Sequence, residues 1–287
     1  MNRQAIINKI FEAQDENGFW KMLPPSDKYY PDYLHYVPNF KATLWTLILL
    51  ADLGLDPNDE RIKKPLQELR HHFFDAEFGI YTLKEDHFPI PCLNCNMIYL
   101  DCYFNRKPSE ESQQVLAFFH KYQRFDDGKY ETATNEYCSN KSCYGKHTCY
   151  WGVVKLLKGI SFIPQEYRDP NTKELLNRCI QFVLLHKVCF SSRQPDRIMI
   201  PKMDLLTFPN MYKSDFLEIL WLLKRENIVA EEMKPALQLL KNKRHEDGSW
   251  HLERQVNNMV TSIGEINKSN LFITERASIV LKNDQAA

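Results

Sequence analysis

The sequence predicts an all-α fold, with five outer–inner helical hairpins stacked in order into a ring. Two observations carry that prediction. First, four short segments repeat: DENGFWK at 15–21, DAEFGIY at 75–81, DDGKYET at 126–132 and EDGSWHL at 246–252. Each sets acidic residues before a glycine and an aromatic close after it, with the glycines at Gly18, Gly79, Gly128 and Gly248. The spacings are 61, 49 and 120 residues, the last being two periods. A fifth, degenerate copy falls near 188, in HKVCFSSRQ, and has lost its glycine. Second, an amphipathic helical stretch precedes each turn and a more apolar one follows it, while no alternating strand pattern stands out.

The helices follow from this punctuation. The stretches before the turns are expected at 2–13, 60–73, 109–122, 171–186 and 231–243, and those after them at 40–54, 92–105, 147–160, 214–227 and 270–282. Gly54 before Asp56-Pro57 and Gly159 before Pro164 mark helix ends, whereas Pro108-Ser109-Glu110-Glu111 and Ser214-Asp215 mark starts. The first set is charged on one face, as in EESQQVLAFFHKYQR. The second set, with TLWTLILLADLGL, TCYWGVVKLLKGI and DFLEILWLLK, is apolar on most faces. A helix with one apolar stripe faces water, and one apolar all round is buried. The second set therefore forms the inner ring and the first set wraps it as a single domain over 1–287.

Helical hairpins of this length, ended by an acidic-Gly-aromatic turn, resemble the α/α toroid of squalene cyclases and protein prenyltransferase β subunits, the terpenoid cyclase superfamily. DENGFW and HEDGSW match best, and the resemblance spans nearly the whole chain. CYWGVVKLLKGISFIP and FPNMYKSDFLEILWLL look like a prokaryotic branch of that superfamily. The resemblance implies an apolar or isoprenoid-like substrate in a barrel mouth. It does not supply catalytic residues. The Asp-x-Asp-Asp acid of class II cyclases is missing; the only Asp-Asp pair, Asp126-Asp127, lies in a repeat turn. The prenyltransferase zinc pair Asp-x-Cys is also missing, since Asp101 and Cys102 are adjacent and diverge on a helix. Five pairs, against six in a full toroid, predict an incomplete or gapped ring.

Composition narrows the function classes. Lys plus Arg and Asp plus Glu number 37 each, so there is no basic excess for nucleic acid. The longest apolar run, LWTLILLA at 44–51, is too short to span a bilayer. The polar N-terminal stretch has no secretory h-region, so a cytoplasmic protein with reduced thiols is expected.

The chemistry-bearing residues cluster at helix starts. Cys92 and Cys95 open the second inner helix, three apart and hence on one face. His147 and Cys149 open the third, with Cys143 and Cys138 just before. If the inner helices run parallel, these starts gather at one end of the ring. Four soft ligands in a tetrahedron are what zinc requires, and an iron–sulfur cluster is the alternative cofactor. Packing alone is the competing reading, since a free cysteine is a small hydrophobe, and a nucleophilic thiol at a helix start is the third. Cys102, Cys179 and Cys189 read as packing. Lys41 and Asp215 face the same end as ligand contacts, with solvation and helix capping as their plain alternatives. Trp45, Trp151 and Trp221 line a central cavity or fill the core. Two function classes follow: a metal-assisted enzyme on a small apolar or amphiphilic ligand, or a non-catalytic scaffold with structural zinc and an unspecified protein partner.

Overall fold

A computed structural model describes residues 2–20, 40–83, 88–128, 143–144 and 147–282. Ten α-helices lie among them. The outer five are α1 (Arg3–Glu12), α3 (Lys63–Phe73), α5 (Glu110–Tyr122), α7 (Pro170–Leu185) and α9 (Lys234–Asn242). The inner five are α2 (Thr43–Asp52), α4 (Pro91–Asn105), α6 (Tyr150–Ser161), α8 (Phe216–Arg225) and α10 (Leu271–Leu281). The predicted spans hold to within a few residues. Capping explains the starts: Asn2, Ser109, Asp169, Asp215 and Asn270 each accept a backbone N–H of their helix's first turn through the side chain. The strands β1 (Phe74–Asp75) and β2 (Ile80–Tyr81) pair antiparallel and merely flank the second repeat turn.

All four repeat glycines adopt left-handed backbone, with φ between 66° and 91°. The aromatic after the glycine then fastens the turn to both helices of its hairpin. The Trp20 indole donates to the Ile10 carbonyl at 2.7 Å and its backbone N–H to Thr43 Oγ1 at 3.1 Å. Trp250 repeats the pattern with the Leu240 carbonyl at 2.8 Å and Thr274 Oγ1 at 3.0 Å. In the second unit Asn94 takes the threonine's place, exchanging two hydrogen bonds with the Tyr81 backbone. The degenerate fourth turn is strained. Lys187 and Val188 occupy left-handed backbone without being glycine, at φ 42° and 74°.

The inner helices form a parallel ring in the order α2, α4, α6, α8, α10. Near the helix starts Gly152 of α6 rests on Pro91 of α4, and near the far ends Phe162 meets both Tyr99 of α4 and Trp221 of α8. Gly152 and Gly159, one heptad apart, let α6 approach α4 closely. A Cβ on Gly159 would lie 2.9 Å from the Cys95 carbonyl oxygen and 3.3 Å from the Ile98 side chain. The outer helices α3, α5, α7 and α9 pack on α2, α4, α6 and α8 respectively. Between the first and last hairpins the joining contacts are side-chain ion pairs: Arg3 of α1 pairs with Glu275 of α10, and Arg276 of α10 lies 3.5 Å from Asp52 of α2. The axis of this five-pair α/α toroid is filled by side chains.

Two stability changes follow. Gly159→Ala should lose about 1–3 kcal/mol, because the extra methyl meets backbone rather than a movable side chain. Lys187→Gly should gain roughly 0.5–1 kcal/mol by relieving left-handed strain at a half-exposed site. Chemical denaturation of each variant against the parent chain checks both signs.

Candidate functional site

The inner-helix starts do gather the thiols. Cys149 is the N-cap of α6. Its side chain makes no capping hydrogen bond to α6, but Cys143 and the amide N–H groups of Gly152 and Trp151 lie close enough to influence its sulfur. The Cys143 hydrogen bond, aided by the two amides and opposed by burial, lowers the Cys149 thiol below its ordinary range. Cys143, as the donor, is pushed well up by that bond, then by burial and by the neighbouring Cys92. Cys95 lies behind them, fully buried and driven far up by desolvation, then by the nearby Cys92, Cys179 and Cys149. Cys92, Cys95, Cys143 and Cys149 thus lie in one region, with Cys92 and Cys149 each near both Cys95 and Cys143. His147 is not aimed at them: its exposed ring lies on the Gly128 turn, where Arg193 also packs. Cys138 lies outside the described residues. Among the described residues, no three His, Cys, Asp or Glu side chains are placed to hold a metal ion.

The other predicted contacts divide. Lys41 is exposed. Trp45 is buried beneath Phe40 and Tyr212, with ring centroids 5.2 and 6.4 Å away. Trp151 is half-buried beside Tyr150. Asp215 serves as a cap: one carboxylate oxygen takes the Glu218 N–H at 2.8 Å and the other the Thr207 N–H at 2.6 Å. Burial outweighs those amides and, helped by the Glu218 carboxylate, lifts Asp215 to about 6.

The apolar interior expected behind the mouth is instead polar on the axis. All five inner helices send a side chain there. Lys158 of α6 donates to Asp52 of α2 at 2.8 Å and lies 3.1 Å from Glu218 of α8. Lys155 of α6 donates to the other Glu218 oxygen at 2.9 Å and to the Asn210 carbonyl at 3.0 Å. Tyr99 of α4 donates to Asp52 at 2.8 Å, and Arg276 of α10 donates to Asn210 Oδ1 at 3.0 Å while stacking on Phe208 and Trp221. Asp52, Lys155 and Glu218 have no exposed side-chain surface. Burial opposes the Glu218 charge, but Lys155, Lys158 and Arg276 prevail and hold it down to about 2. Lys155 is itself lowered, since burial exceeds the help it draws from Glu218. With Asp215 ionised, three cations face three carboxylates. The signal was in the sequence: one or two charges each in LLAD, VVKLLKG, FLEIL and ITERAS break helices that are otherwise apolar on most faces.

Two further features carried no sequence signal. Asp127 accepts from Ser192 Oγ and lies 3.8 Å from the buried His186, whose imidazole burial pushes down. A cavity of about 890 Å³ opens on the outside, between α7 and the 228–232 segment, and none of the cysteines at the helix starts lines it. No helix among the described residues is long and apolar enough to cross a membrane.

No protein-family model matches the chain, and no curated protein matches it. Among solved structures it is similar to the type II terpene cyclase MstE from Scytonema, at 12 % identity and a TM-score of 0.36, covering 99 % of this chain and 97 % of that one. A variant of that enzyme, in complex with geranylgeranyl dihydroxybenzoate as substrate, gives 14 % identity and a TM-score of 0.35, covering 97 % and 94 %. Likeness at this level transfers neither substrate nor mechanism.

The axis generates two expectations. Glu218→Gln leaves Lys155 and Lys158 without their shared carboxylate and should cost about 3–5 kcal/mol in denaturant unfolding. Asp215, raised from 3.8 to about 6, contributes stability that is complete below pH 3.8 and lost as pH rises through 6. The stability difference between the parent chain and Asp215→Asn should therefore change by about 2 kcal/mol between pH 4 and 6.5, in favour of the variant at the higher pH. A pH-independent difference contradicts it.

Proposed function

We propose that the protein is a binding or scaffold protein of toroid form, with a thiolate zinc site at the mouth where the inner helices begin. The observation that supports the non-catalytic reading is the ionic cluster that fills the axis: it leaves chemistry to the mouth. Zinc is supported by the donor set, since Cys92, Cys95, Cys143 and Cys149 are neighbouring soft ligands and Cys149 is already favoured as a thiolate. His147 would have to leave the Gly128 turn to join them. Zinc, when bound, supplies cross-linking between the starts of α4 and α6. An iron–sulfur cluster would use the same thiols.

A second reading keeps the site catalytic. Phe40, Tyr212 and Trp151 are half-buried at the same end of the toroid and offer apolar surface beside the thiols. An apolar or isoprenoid-like amphiphile would lay its chain there, with its head near Cys149 and the first-turn amides of α6. Four protein ligands around zinc favour the scaffold; three with an open position favour the enzyme.

Elemental analysis of reduced protein should find one zinc per chain, and Cys92→Ser should lower zinc content and thermal stability together, because binding to a site absent from the unfolded chain is folding free energy. Protein that is metal-free and unaffected by zinc or chelator removes the zinc reading. Cobalt substitution then separates the two roles: a spectrum indifferent to added farnesyl-chain amphiphile favours the scaffold, and one that shifts favours the enzyme.

A further inference from the structure

We infer that the outer cavity between α7 and the 228–232 segment binds an elongated apolar molecule with an anionic group at each end, a long-chain dicarboxylate in its simplest form. No thiol of the mouth lines this cavity, so the site stands apart from both readings of the mouth.

Size and apolar surface come first. At about 890 Å³ the cavity falls in the range of small-molecule sites. Leu185 and Val229 both line it, and they are 53 % and 91 % exposed. An apolar chain laid between them would bury surface that water now covers.

Charge at the two ends sets the class of ligand. Arg178 also lines the cavity, seven residues before Leu185 and therefore on the same face of α7. Its guanidinium lies 4.6 Å over the Phe125 ring, which holds the planar fork in place. Lys187 lines the cavity just past the other end of α7. It is nine residues from Arg178, or about 13 Å along the helix axis. Among the described residues neither cation is paired with a carboxylate, and that includes Glu232 on the facing segment. A stacked guanidinium with a free fork suits a carboxylate in bidentate contact.

The backbone at Lys187 is a separate observation. The four repeat turns that keep their glycine place it in left-handed backbone, but here a lysine holds φ 42°. Lysine stands at that position at a cost in stability, with its side chain on the cavity wall. Strain of this kind persists where the side chain serves a site. Two cations about 13 Å apart, with apolar surface between them, select by length and by charge at both ends. A monocarboxylate would satisfy one end only, and a short dicarboxylate would not reach.

The test is calorimetric titration of the full chain with dodecanedioate, which spans about that separation when extended. One molecule should bind per chain. Dodecanoate and hexanedioate, as the one-headed and the short probe, should each bind at least about fivefold more weakly. Arg178→Gln and Lys187→Gly should each bring dodecanedioate down to the level of dodecanoate. Lys187→Gly should do so while raising the unfolding midpoint, so weaker binding cannot come from a damaged fold. It should leave dodecanoate unchanged, because the single carboxylate takes Arg178. Val229→Glu, at the most exposed apolar position, should weaken both long probes. Absence of binding, equal affinity for dodecanoate and dodecanedioate, or binding that none of these substitutions alters overturns the inference. So does light scattering that shows a dimer abolished by Val229→Glu, which would give the surface to a second copy of the chain. Zinc content, measured separately, fails or holds without regard to this result.

Discussion

The charges on the axis set the terms for everything else in this fold. The side chains of Asp52, Lys155, Lys158 and Glu218 are withdrawn from water, and that of Arg276 almost so. Each would be severely penalised alone, because a buried charge without partners loses its hydration and gains nothing. They are tolerated only while α2, α6, α8 and α10 hold one mutual register, with Tyr99 of α4 completing it. A slip of one turn on any of these helices moves its charge about 5 Å along the axis and leaves the partner unpaired. The apolar surfaces of the helices supply the driving force, but they would accept several registers. The ion cluster accepts one.

That arrangement also explains why five hairpins suffice. A wide ring needs more helices or a ligand to fill it. Here Lys158 spans from α6 to α2 across the centre, so helices that are not neighbours are tied directly. The close approach of α6 to α4 at Gly152 and Gly159 draws the ring in further. The same closure pushes chemistry outward. Asp215, which an open barrel would offer as an acid, is used by two backbone amides. The reactive groups that remain are the thiols at the helix starts, where the first-turn amides of α6 are available to stabilise negative charge.

Much of the architecture was legible because its signals are local. A glycine followed by an aromatic dictates a left-handed turn and an anchoring ring, and Gly18 with Trp20 and Gly248 with Trp250 do this in the same way. Inner and outer helices separated by polarity alone. The thiol cluster was legible as a convergence once parallel inner helices were assumed, and Cys92, Cys95, Cys143 and Cys149 are neighbours. His147 was not legible: its neighbours in sequence are thiols, but in space its ring packs on Gly128, a contact between units. The axis was misread for a different reason. Asp52, Lys155, Lys158, Glu218 and Arg276 are scattered over more than 200 residues, and each alone looks like one charge in a greasy helix. Only their pairing, which needs the three-dimensional register, makes burial affordable.

The most direct test of this account is a double-mutant cycle across the axis, joining Asp52→Asn and Lys158→Met in denaturant unfolding. The two residues belong to helices that are not adjacent in the ring, so their coupling reports the axial cluster rather than ordinary helix packing. A coupling energy of about 1–3 kcal/mol is predicted. Losses that add within about 0.5 kcal/mol would contradict the claim that the buried charges hold the toroid in register.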